Sequence, residues 1–112
     1  MLSIGAQRLF HYSGPTDLRR GFDGLSALVE AAFPGELLSG ALFIFVNRRR
    51  NLMKILSWDE DGFALYYKRL EQGTFRVSWS GHVQLTRREF TMLVEGVVPR
   101  RLHRRFKLPK KS

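Results

Sequence analysis

Apolar residues follow two different periods along this chain. Between Gly14-Pro15 and Pro34-Gly35 they recur at Leu18, Phe22, Leu25, Val29 and Phe33, the spacing of one helical stripe. Thr16 and Asp17 have the chemistry of a helix start, so the pattern predicts a helix from that point to Phe33. Gly21 and Gly24 fall inside it and weaken it by about 1 kcal/mol each relative to alanine, which predicts close packing on another element. From Ala41 onward the period shortens. Residues 41–46 form an unbroken apolar run, the signature of a strand buried on both faces. Strands are also expected at 8–12, 52–58, 63–70 and 75–79, with a short edge at 83–85. The polar segment Asn47-Arg48-Arg49-Arg50-Asn51, then Asp59-Glu60-Asp61-Gly62 and Glu71-Gln72-Gly73-Thr74, separate them as hairpin turns. Thr86-Arg87-Arg88-Glu89 is a capping box opening a second helix through Phe90, Met92 and Leu93, with Gly96 and Pro99 at its end. The expected fold is α+β: an antiparallel meander of four to five strands with two helices packed on one face.

The turns also predict register. Trp58 should lie opposite Phe63, Leu56 opposite Leu65, Lys54 opposite Tyr67 and Arg69 opposite Arg76. Alternation then places Met53, Ile55, Ala64, Tyr66, Leu70, Phe75, Val77 and Trp79 on a core face. The opposite face carries Leu56, Trp58, Phe63, Leu65 and Tyr67, grading into Lys54, Arg69 and Arg76. Two readings of this face stand side by side. It is either a second core layer with snorkelling cations or a binding face for nucleic acid or a partner protein, with Trp58, Phe63 and Tyr67 as contacts.

Charge sharpens the picture because it is unevenly placed. The 112 residues hold 19 Lys and Arg against 10 Asp and Glu. From Val97 to the end stand Arg100, Arg101, Arg104, Arg105, Lys107, Lys110 and Lys111 with no acid. The chain therefore reads as one near-neutral domain over 1–96 and a basic tail over 97–112. A polyanion, nucleic acid before anionic membrane, is the natural partner of such a tail, although a solvating role also fits. The Arg48, Arg49 and Arg50 loop adds cations on a hairpin tip, able to straddle a phosphate backbone.

Other chemistry finds little footing. There is no cysteine, and His11, His82 and His103 are scattered, so neither a disulfide framework nor a zinc site is expected. The acidic turn at Asp59 lacks the later oxygen ligands of a calcium loop, because Phe63 and Leu65 occupy those positions. Asp17, Asp23, Asp59, Asp61 and Glu89 each have a local structural reason and do not converge as metal-dependent phosphoryl chemistry requires. The expectation is a protein without catalysis, cofactor, metal, membrane span or small-molecule substrate, in the cytoplasm.

A resemblance adds to this reading. Gly14-Pro15-Thr16-Asp17-Leu18-Arg19-Arg20-Gly21-Phe22-Asp23-Gly24-Leu25, the run from Ser39 through Arg50, Lys54 to Phe63 and Tyr66 to Phe75 resemble, in order, blocks of one protein family. It is the TnpB accessory protein, the second open reading frame, of insertion-sequence-66 bacterial transposable elements. The likeness runs from about Ile4 to Gly96. It implies a small product encoded beside a larger transposase and assisting DNA transposition. Asp17, Arg19, Arg48, Arg49, Lys54, Trp58, Asp59, Lys68 and Arg69 match its signature positions, which have no assigned roles. One departure is Val77-Ser78-Trp79-Ser80, where the family usually has tryptophan-proline.

Residues and resemblance together give two expectations. One is DNA binding at the element ends through Arg48, Arg49, Arg50, Lys54, Arg69, Arg76, Arg100, Arg101, Arg104, Arg105 and Lys107, with the protein on the nucleoid. The alternative is an adaptor that grips the transposase through Trp58, Phe63 and Tyr67 without touching DNA.

Overall fold

The computed structural model describes residues 5–79, 81 and 83–96. Five strands and two helices follow in the order β1 (Leu9–His11), α1 (Phe22–Ala32), β2 (Leu42–Val46), β3 (Leu52–Asp59), β4 (Gly62–Arg69), β5 (Val83–Leu85) and α2 (Arg87–Glu95). The strands make one sheet in the order β4-β3-β2-β1-β5. The fold is α+β as expected, but the sheet is mixed. β1 runs parallel to β2, pairing Phe10 with Phe43, and the other neighbours are antiparallel. The reason lies in the connection. A helix between two adjacent strands carries the chain back to its starting end, so the second strand runs the same way as the first.

The helices take opposite faces of the sheet, not one. Leu25 and Val29 of α1, with Leu18 and Phe33, pack on Phe10, Phe43, Phe45 and Leu56. Phe90 and Leu93 of α2 pack on Leu9, Leu42, Ile44, Val46, Met53 and Ile55 of the other face. β2 is the middle strand of this sandwich, and all five of its residues are buried. That is the physical meaning of its unbroken apolar run.

Two further expectations are corrected. Residues 75–79 do not form a strand, and Arg76 does not face Arg69, whose partner is Leu52. Phe75 donates its N–H to the Arg50 carbonyl at 2.7 Å, and Phe75, Val77 and Trp79 cover the α2 side of the core. Alternate apolar positions serve a covering segment as well as a strand, and this segment carries the chain from β4 across to the far edge. The first helix starts at Phe22, after Gly21, and not at Thr16. The Asp17 carboxylate accepts the Arg19 N–H at 3.0 Å, a local bond that competes with helix and keeps 15–21 as a loop. Gly21 therefore sits at the cap, and the nearest atoms that a Cβ on Gly24 would meet belong to Arg20, its neighbour in sequence, at 3.1 Å. Neither glycine marks close packing on another secondary-structure element.

The predicted capping box is present in both directions: Glu89 N–H reaches Thr86 Oγ1 at 3.1 Å, and Thr86 N–H reaches Glu89 Oε1 at 2.8 Å. At the other end of α2, Lys68 Nζ donates to the Val94 carbonyl at 3.1 Å, where the helix dipole favours a cation. Gly96 follows with φ of 78° and packs so closely on Leu70 that a Cβ would come within 2.8 Å of it.

Candidate nucleic-acid interface

The β2–β3 loop is built by its two asparagines. Asn47 Oδ1 accepts the N–H groups of Asn51 at 3.0 Å and Leu52 at 2.9 Å, while Asn47 Nδ2 donates to Asn51 Oδ1 at 2.9 Å. These bonds close the loop from within and leave Arg48, Arg49 and Arg50 exposed. Arg50 takes a left-handed φ of 62°, which turns its guanidinium over the Trp79 ring, 5.4 Å from the centroid.

Arg48 and Arg49 line an open hollow of about 790 Å³, together with Thr16, Asp17, Leu18 and Arg19 from the loop before α1 and Tyr67 from β4. Arg19 grips Asp17 through Nε to Oδ1 at 2.9 Å and a terminal nitrogen to Oδ2 at 2.6 Å. These hydrogen bonds hold the Asp17 carboxyl far below the usual carboxylate range and raise the Arg19 guanidinium. Lys54, paired with Tyr67 as predicted, donates to the Arg20 carbonyl at 3.0 Å and lies 5.3 Å from the Tyr67 ring centroid. Tyr67 remains 55% exposed.

Three other predicted cations stand around the same end of the sheet but do not line this hollow. Arg69 is bound to Glu71 at 3.0 Å. Arg50 and Arg76 line another hollow of about 530 Å³ with residues of the 74–78 segment, beside Trp79. The proposed partner contacts do not form one patch. Trp58 meets Phe63 edge-on at 5.1 Å near the β3–β4 turn, four residues along the ladder from Lys54 and Tyr67. Leu56 belongs to the core on the α1 side, and Phe63 and Leu65, partly buried, pack against it. Much of the apolar part of the mixed face is therefore core, while Tyr67 stays exposed at one end and Trp58 half-buried at the other. Arg100, Arg101, Arg104, Arg105 and Lys107 lie outside the described residues.

Sequence reasoning missed the loop before α1 as a wall of this hollow. Thr16 and Asp17 read as a helix start, although two glycines within the next eight residues signalled a later one. The carboxylates considered for metal chemistry are apart: Asp17 lies at the hollow, and Asp59 and Asp61 lie at the β3–β4 turn. Among the described residues, no group of three or more His, Asp or Glu side chains could hold a metal, and no helix is long and apolar enough to cross a membrane.

The model of the IS66 Orf2 like protein family matches residues 7–104. The chain belongs to this family. At its C-terminal side the match runs past Gly96 and takes in Arg100, Arg101 and Arg104. Among its relatives, protein y4jC of Sinorhizobium fredii, described as uncharacterized, is 34% identical over 92 residues, 80% of this chain and 79% of its own. Protein y4hO of the same organism, also described as uncharacterized, is 31% identical over 94 residues, 80% of each chain. No solved structure matches. Membership of the IS66 Orf2-like family points to an accessory protein of transposition.

Proposed function

We propose that the protein assists transposition by holding DNA at the element ends through the basic end of its β2–β3 hairpin, without catalysing strand chemistry. The observation that carries this reading is the pinned loop itself. Arg48 and Arg49 are exposed and stand beside Arg19, on a backbone closed by the Asn47 and Asn51 side chains. Cations held in place neutralise phosphates with little further loss of backbone freedom, and the counterions they displace drive binding. Cutting and joining fall to the larger transposase. The adaptor alternative has less surface to use, because Leu56 is buried and Phe63 and Leu65 are partly buried against the same core cluster.

The test is titration of element-end duplex with the full chain at several salt concentrations. Affinity should fall steeply and linearly on logarithmic axes, and replacing both Arg48 and Arg49 with alanine should lower the slope by about two. Binding that is absent or indifferent to salt overturns the reading.

A further inference from the structure

We infer that the hollow beside the hairpin takes one unpaired nucleotide of single-stranded DNA, its phosphate against Arg48 and Arg49 and its base against Tyr67. This rests on the DNA-binding reading above and names the form of DNA that the site receives.

Tyr67 carries the argument. It lies on the sheet face that α1 covers elsewhere; Leu65, two residues earlier on that face, packs against the core, whereas Tyr67 is 55% exposed. Its ring is held while open, because Lys54 stands 5.3 Å from the centroid and is itself tied to the Arg20 carbonyl. In a duplex the bases are stacked on each other and offer side chains only their edges and the backbone. An exposed ring among cations gains nothing there, but it stacks on a base that has left the helix.

The hollow's other walls agree. Its volume of about 790 Å³ and the apolar lining that includes Pro15 and Leu52 exceed what a phosphate alone requires. A carboxylate, Asp17, sits where the neighbouring arginines attract a polyanion, which is puzzling for a backbone site. Beside a base edge it makes sense, since the carboxylate accepts from an exocyclic amine through the lone pairs that Arg19 leaves free. Thr16, 5% exposed and lining the same hollow, has a buried hydroxyl with no hydrogen-bond partner among the described residues.

The experiment compares a blunt duplex with the same duplex carrying a short single-stranded tail, using the full chain, with 2-aminopurine as one unpaired base. The tailed probe should bind about tenfold more tightly, with quenched emission at saturation. Tyr67→Ala should erase that preference, and Tyr67→Phe should restore it, because stacking on one base is worth roughly that factor. Equal affinity for the two probes, unchanged emission at saturation, or an equal effect of Tyr67→Ala on both probes overturns this inference and leaves the DNA-binding reading in place. Failure to bind either probe overturns that reading as well. The emission measurement uses the unmodified protein, so it decides even where a variant folds poorly.

Discussion

The two turns that flank β3 are built on opposite plans. At the β2–β3 end, Asn47 and Asn51 close a loop that displays Arg48, Arg49 and Arg50. At the β3–β4 end, Asp59 pairs directly with Gly62 and the turn presents Asp59, Glu60 and Asp61. Eight residues of β3 separate the two, roughly 26 Å of extended chain. Each turn forces a charged residue into the left-handed region, Arg50 at φ 62° and Glu60 at φ 59°, where glycine or asparagine would be at ease. Charge of opposite sign is thus kept at both ends against a conformational cost. A molecule so polarised enters the field of a polyanion with its arginine end leading. Only that leading end is also stapled by side chains.

Exchanging signs at one end and then the other is the strongest way to break this contrast. The double variant Arg48→Glu, Arg49→Glu should lower duplex affinity at low salt by about a hundredfold, since repulsion replaces two phosphate contacts. The matching change Glu60→Lys, Asp61→Lys should raise it by no more than about threefold. Equal effects at the two ends, read by fluorescence anisotropy, would remove the polarity from the account.

Removing the staple comes next. Asn47→Ala leaves the Asn51 and Leu52 N–H groups without their acceptor and should lower unfolding stability by about 2 kcal/mol. Denaturant unfolding checks that figure. Anisotropy should show weakened DNA binding although no cation has been touched.

A smaller difference separates the two strained residues. Glu60→Gly should stabilise the fold by about 1 kcal/mol by relieving the left-handed backbone. Arg50→Gly should give less, because the same relief is offset by loss of the guanidinium from the Trp79 ring. Parallel thermal unfolding of the two variants separates these outcomes.

The smallest effect concerns acid. Hydrogen bonds from Arg19 and Arg8 hold the Asp17 and Glu36 carboxyls below their ordinary values. Their contribution to stability is therefore present above the ordinary carboxylate range and is lost as pH falls through the depressed values. Urea unfolding should show a shallow decline below about pH 4, shallower still in Asp17→Asn. Both pairs are solvent-exposed, which keeps this the weakest of the effects.

Much of the sheet was legible because turns fix pairing locally. The acidic turn set Trp58 against Phe63 and Lys54 against Tyr67, and the structure has the same register. The capping box at Thr86 was equally local. What escaped were decisions made at a distance. The parallel pairing of β1 depends on where α1 returns the chain, and the division of the helices between faces depends on which apolar stripe meets which side of the sheet. The covering segment at 75–79 carries the same alternation as a strand, so periodicity alone does not separate them. Of the candidate site, the cationic tip and the Lys54 and Tyr67 pair were readable, while the Asp17 and Arg19 wall was hidden by its likeness to a helix start.

Gly96 gives the last element a particular point of departure. It rests on Leu70, whose N–H donates to the Asn51 carbonyl at the foot of the arginine loop. Gly96, the last residue described, therefore stands beside the base of the hairpin. Under the DNA binding proposed above, the seven lysines and arginines that follow Val97 in sequence would add avidity from that point of attachment, by effective concentration and without any further folded surface.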